Sequence, residues 1–189
     1  YNCKDLNKKI FNYVKNGKIK KVFLAARWSY YTDGNYDNTE FSHISINDNF
    51  SSNKKNSRLS FEYGLKNTIK KYNDIGVKII FIHQVPLQVF SPNYIYLYSL
   101  KKNKFNYQKY IYELSVDYNK HVLLQKFVKN KVNAYSENPL FSQFDPELIF
   151  CDKIKCVVGD QDMSYYSDDD HLSTAGSMKL KDEIKNFLN

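Results

Sequence analysis

Two short apolar runs, Val22-Phe23-Leu24-Ala25-Ala26 and Val77-Lys78-Ile79-Ile80-Phe81-Ile82-His83, constrain this chain more than any other feature. Each is too short for a buried helix and too continuous for a strand with one wet face. Each therefore reads as a strand covered on both sides, the habit of parallel sheets. Each also follows a helical period that ends at a glycine. Leu6, Ile10, Tyr13 and Val14 recur at helical spacing over Asp5 to Asn16, and Gly17 follows. Phe61, Leu65, Ile69 and Tyr72 do the same over Ser60 to Asn73, with Ser60 as N-cap and Gly76 beyond. Helix, strand, helix, strand with short turns is the order of right-handed parallel crossovers. It predicts an α/β fold, a doubly wound parallel sheet with helices on both faces.

The remainder fits that frame. A Tyr-rich connection from Ser91 to Phe105 leads to a long helix, with room for a break, over Tyr107 to Val132. Leu148-Ile149-Phe150 and Cys156-Val157-Val158 read as short strands. Ser173 to Leu188 reads as a final helix with Leu180, Ile184 and Phe187 inward. Residues 32–57 are largely polar, with Asp, Asn, Ser and Gly throughout, and read as a long excursion or small hairpin that forms part of a rim over the site. No repeat or linker divides the chain, so residues 1–189 are expected to form one domain. With 42% hydrophobic and 25% charged residues, it can bury a sizeable core. No apolar run approaches the roughly 20 residues of a membrane helix, and no signal peptide opens the chain. The start at Tyr1, without Met, points to a processed or excised piece.

A net charge of +8 raises the question of nucleic acid. The charge is almost all lysine, with arginine only at Arg27 and Arg58, and no recognition motif accompanies it, so nucleic acid is not an expected partner. Of the three cysteines, Cys151 and Cys156 are spaced to close a small disulfide loop. Cys3 is then left to pair with something upstream; three reduced thiols are the alternative.

The chemistry is concentrated in Tyr166-Ser-Asp168-Asp-Asp-His171-Leu-Ser-Thr-Ala-Gly176. An Asp three residues ahead of a His can turn back and hold the Nδ1 proton, leaving Nε2 free as a base. Asp168 and His171 are thus candidates for two members of a hydrolase triad. Asp169 and Asp170 read as an N-cap or cation ligands, but no further ligands accompany them and no metal or cofactor is expected. His43, His83 and His121 show no partner pattern and read as structural or surface residues. Arg27 and Trp28 emerge at the carboxyl edge of the first strand, where sites of such sheets gather. Two readings stay open there: donors for an oxyanion, anion or sugar, or an Arg paired to a carboxylate beside a packed Trp. Trp28, Tyr30 and Tyr31 also offer faces for sugars.

Taken in order, these segments resemble the SGNH (GDSL-like) hydrolase family, and more narrowly the SGNH domain fused behind type-3 membrane O-acyltransferases of bacteria. Asp168-x-x-His171-Leu-Ser with Gly176 looks like the family's last block. Val22 to Ser29, Phe61…Gly64-Leu65…Thr68-Ile69 leading to Gly76, Ile82-His-Gln-Val-Pro86 and Cys151…Cys156 add to the likeness. The resemblance implies a flavodoxin-like three-layer sandwich with His171 and Asp168 catalytic. It also implies a nucleophilic serine in a Gly-Asp-Ser block on the turn after the first strand. This sequence has no Gly-Asp-Ser, and Gly159-Asp160 runs on into Gln161. The first strand and its serine are thus expected to precede Tyr1. The implied function is O-acyl, above all O-acetyl, transfer to a bacterial surface polysaccharide such as lipopolysaccharide O-antigen. The donor would come from a membrane acyltransferase domain in the same full-length chain, at the periplasmic face of the inner membrane. A carbohydrate O-acetyl esterase, or a glycan-binding module without the serine, are the alternatives.

Overall fold

The computed structural model describes residues 3–37, 42–46, 51 and 53–188. Its elements run α1 (Cys3–Asn16), β1 (Lys21–Ala25), α2 (Trp28–Thr32), α3 (Lys54–Asn73), β2 (Lys78–Ile82), α4 (Pro92–Lys102) and α5 (Tyr107–Leu114). There follow β3 (Val116–Asp117), α6 (Tyr118–Asn133), β4 (Phe141–Phe144), α7 (Glu147–Phe150), β5 (Lys155–Cys156), α8 (Thr174–Lys179) and α9 (Lys181–Asn186). The main sheet has the order β1-β2-β4 and is parallel throughout, with Phe23 opposite Ile80 and Ile80 opposite Ser142.

Side chains alternate across β2, and each face carries its own core. Ile79 and Phe81 pack with Phe61, Leu65 and Ile69 of α3 and Val128 and Val132 of α6. Ile82 lies on the other core, with Ile95, Ile111, Phe144, Tyr166 and Leu180. The result is a helix–sheet–helix sandwich. The central strand is fully covered, whereas β1 is half-buried and, among the described residues, is paired on one edge only.

Several elements differ from the sequence expectation, each for a local reason. The third sheet strand is Phe141-Ser-Gln-Phe144, not 148–150. Its two central residues are polar and half-buried, so no apolar run marks it. Leu148-Ile149-Phe150 is a single helical turn that buries only Phe150. Helix α4 replaces the expected Tyr-rich connection: Ser91 caps it by accepting from the Tyr94 N–H, and Pro92 opens it, both legible start signals. The long helix breaks at Ser115, whose Oγ accepts from the Val158 N–H, and Val116–Asp117 then pair antiparallel with Lys155–Cys156. Helix α3 starts six residues before Ser60, capped by Asn53, and the Ser60 hydroxyl instead donates back to the Asn56 carbonyl within the helix. The final helix divides at Leu180. The polar excursion is in part outside the described residues, as is the side chain of Cys3. No described helix is long and apolar enough to cross a membrane.

Candidate active site

The acidic loop is pinched shut at its base. The Ser167 N–H donates to the His171 carbonyl at 2.8 Å and the Ser173 N–H to the Tyr165 carbonyl at 2.9 Å, above two tyrosines buried in the second core. Ser173 then caps α8, accepting from the Gly176 N–H and donating to the Ser164 carbonyl. A further bond, from the Gln88 N–H to the Asp169 carbonyl at 2.7 Å, ties the loop to the segment after β2. The loop is therefore seated on the carboxyl side of the sheet, where α/β folds place their sites.

Within the loop, Asp168 turns back on itself. Its Oδ1 accepts from the backbone N–H groups of Asp170 and His171 at 3.0 and 2.7 Å. Its Oδ2 lies 2.9 Å from His171 Nδ1. The other imidazole nitrogen, Nε2, makes no hydrogen bond to any described residue, and the side chain is exposed. Partial burial is the largest influence on Asp168 and pushes its carboxyl up, but the two N–H donors and the imidazole outweigh it and hold the pKa down at about 2. His171 is moved the other way. The hydrogen bond its Nδ1–H donates to Asp168, then the charges of Asp170 and Asp168, raise it above the ordinary imidazole value. This is a base with one nitrogen anchored and the other offered.

Asp170 is the member of the cluster that the sequence does not single out. Its side chain is 3% exposed, its Oδ1 lies 2.9 Å from His171 Nδ1, and its Oδ2 pairs with Arg27 Nε. Burial pushes its carboxyl up, and Arg27 opposes that shift. Three adjacent aspartates look alike as letters; only burial distinguishes the inward one. Asp168, Asp170 and His171 bring potential ligand atoms within 4.8 Å of one another. Those atoms are already engaged with each other and with Arg27, an arrangement that fixes an imidazole.

Arg27 and Trp28 part company at the end of β1. Arg27 faces the loop, its guanidinium 4.3 Å above the Tyr30 ring while its Nε holds Asp170. Trp28 turns into the sheet: Nε1 donates to the Ile82 carbonyl at 2.8 Å, and the indole stacks on Phe81 at 4.6 Å. Its face is thereby occupied by packing. Next to it, the N–H and Oγ of Ser29 both donate to Gln84 Oε1, at 3.0 and 2.7 Å, fixing the start of α2 to the segment after β2. His83 and His121 are buried, 2.9 Å from Gln143 Oε1 and 3.1 Å from Glu147 Oε2 respectively. Cys151 and Cys156 are joined in a disulfide that closes the turn before the acidic loop.

Arg27→Gln leaves Asp170 buried without its cation, and such an orphaned carboxylate costs about 1–3 kcal/mol. Urea denaturation is expected to show that loss, with Arg27→Lys recovering only part of it, because an ammonium cannot both cover the Tyr30 ring and reach Asp170.

The family model for the SGNH domain fused to AT3 domains matches residues 1–186. The chain belongs to this SGNH family. No curated protein matches it. Among solved structures, the periplasmic domain of the Salmonella ser. Paratyphi A lipopolysaccharide acetyltransferase is similar, with 20% identity and a TM-score of 0.65 over 97% of this chain. The alignment takes in 62% of that chain, so the SGNH segment described here spans under two thirds of its length. At that identity the likeness bears on the fold, a parallel sheet flanked by helices.

Proposed function

We propose that this chain forms the base-bearing part of an SGNH-type O-acyltransferase domain that acetylates a bacterial surface glycan, with His171 as general base and Asp168 as its orienting carboxylate. The observation that carries the reading is the Asp168–His171 pair, with Nδ1 held at 2.9 Å and Nε2 open to solvent. Membership of a family whose domains are fused to AT3 domains supports a membrane-borne acyl donor. The lipopolysaccharide acetyltransferase neighbour, itself a periplasmic domain, supports the acceptor class and an extracytoplasmic location, with membrane tethering part of our reading through the AT3 fusion. We read residues 1–189 as one domain, completed by further protein.

The nucleophile in this reading is a serine from outside these 189 residues, since the sequence has no Gly-Asp-Ser block. An apolar cavity of about 550 Å³ lies between α1, α3 and the sheet, lined by Ile10 and Phe11, by Phe61 and Leu65, and by Phe23 and Leu24 of the half-buried β1.

The proton movements then balance. His171 Nε2 takes the serine proton as Oγ attacks the acyl carbonyl, and returns it to the departing donor group, leaving a serine ester. A sugar hydroxyl next gives its proton to Nε2 while attacking the ester carbonyl, and the serine recovers that proton as it leaves. Throughout, ionised Asp168 steadies the imidazolium.

Because Nε2 must be unprotonated to accept the first proton, activity is expected to be low in acid and to rise with pH. The midpoint should lie above the ordinary imidazole value of about 6.5, in the direction Asp168 and Asp170 push His171. Asp168→Asn removes the largest of those influences, so the midpoint should move to lower pH while kcat falls. A pH–rate profile of nitrophenyl acetate hydrolysis by serine-bearing protein checks both. An unmoved midpoint in the variant refutes the assignment of Asp168.

A further inference from the structure

The outer face of α4 is untouched by the acyl-transfer reading. Its inner face is buried through Pro92, Ile95 and Ser99. Outward, Tyr94, Leu97 and Leu100 are 48%, 60% and 41% exposed, Phe90 just ahead is 41% exposed, and Phe105 just beyond is 97% exposed. The rings of Phe90, Tyr94 and Tyr98 form a row with centroid spacings of 5.1 and 5.9 Å. Single exposed apolar residues are ordinary, whereas a continuous set along one helix marks a contact surface.

Asp160 and Asp162 lie near Tyr96, but the charges carried by the helix and its flanking segments favour one kind of partner. Lys101, Lys102 and Lys104 are exposed at the C-terminal end, with Lys102 Nζ 5.2 Å above the Tyr98 ring, and no acidic residue occurs between Asp74 and Glu113. Aliphatic and phenyl groups that enter the acyl boundary, tyrosines at headgroup depth and lysines against phosphates together make an interfacial lipid contact. A sugar platform would use the ring row but would leave Leu97, Leu100 and Phe105 without a purpose.

We propose that the α4 face, from Phe90 to Phe105, docks on an anionic lipid bilayer. The inference goes beyond the acyl-transfer reading and does not depend on it, because a domain without activity would dock in the same way. Its position has a consequence for the site. Gln88, two residues before Phe90, donates its N–H to the Asp169 carbonyl, so the segment leading into the docking face is tied to the loop that carries His171.

Co-sedimentation with phosphatidylcholine vesicles, with and without phosphatidylglycerol, tests this. The protein is expected to bind the phosphatidylglycerol vesicles and to bind pure phosphatidylcholine far more weakly. Leu97→Ser with Phe105→Ser, and separately Lys101→Gln with Lys102→Gln and Lys104→Gln, should each weaken binding by about tenfold or more. Lys8→Gln with Lys9→Gln on α1 should leave it nearly unchanged, and thermal melts of each variant confirm folding. No binding to anionic vesicles, unchanged binding by both α4 variants, or an equal loss in the α1 variant would each overturn the proposal. Loss of binding to soluble bacterial polysaccharide in the Leu97/Phe105 variant, with vesicle binding intact, would assign the face to glycan instead.

Discussion

His171→Ala in serine-bearing protein is expected to lower the acyl-transfer rate constant about a thousandfold or more, with little change in KM. The imidazole is the one described group in the loop that combines a fixed ring with an open nitrogen: Nδ1 is 2.9 Å from both Asp168 and Asp170, and Nε2 faces solvent. Without it, the serine hydroxyl has no acceptor for its proton at neutral pH. The effect should appear in kcat, because the imidazole acts when the proton moves and contributes little to holding the ground state. Initial rates with nitrophenyl acetate, and with an O-acetylated sugar as a second ester, measure it. A His171→Ala enzyme within about tenfold of the parent would mean that another group is the base.

Gly176→Ala is the substitution expected to damage the fold most for its size. A methyl group there would run into the carbonyl oxygen of Tyr165 and lie 2.9 Å from its carbonyl carbon, with Leu172 Cδ2 at 3.2 Å behind. Backbone cannot retreat as the tip of a side chain can. That same carbonyl accepts the Ser173 N–H at the base of the acidic loop, so relief of the clash opens the pinch that seats His171. Overpacking of this kind costs about 3 kcal/mol, which for a chain of this length corresponds to a fall in Tm of roughly 10 °C. Differential scanning calorimetry checks the stability. A shift of the Leu172 methyl resonances in an NMR spectrum, as that side chain leaves its place against the second core, checks the loop. Gly64→Ala is the control, because nothing lies within 4 Å of a Cβ at that helical position.

The central architecture was readable because its driving force is periodic. Ile79, Ile80 and Phe81 are completely buried, and a strand covered on both faces must be apolar at every position. The helix of Phe61, Leu65 and Ile69 was readable for the same reason at a different period. Where burial is mixed, the pattern fails. Gln143 in β4 is half-buried, and its side chain meets His83 just beyond the end of β2, a pairing with no trace in the local sequence. Leu148, 81% exposed, shows the converse: an apolar triplet in which only Phe150 is fully buried and Ile149 packs in part.

The arginines show how context divides residues that look alike. In a chain that otherwise uses lysine, Arg27 and Arg58 both reach buried aspartates, Asp170 and Asp33, at 3% and 8% side-chain exposure. A guanidinium can hold a carboxylate and cover an aromatic ring at once, and both do so, over Tyr30 and Phe127. The scarcity of arginine marked these positions in the sequence. Which carboxylate each holds depends on chain contacts more than twenty residues away.

By itself the sequence determined what local chemistry can determine: two parallel strands, the helices that precede them, and an Asp-x-x-His whose three-residue spacing suffices to bring a carboxylate to Nδ1. Only the tertiary structure decided the rest. It buried Asp170 rather than Asp169, bound it to an arginine from the end of β1, turned Trp28 into the sheet and left the α4 face in solvent. Each of these rests on which surfaces meet across the sheet, and burial of that kind is a property of the packed chain, not of its residues one by one.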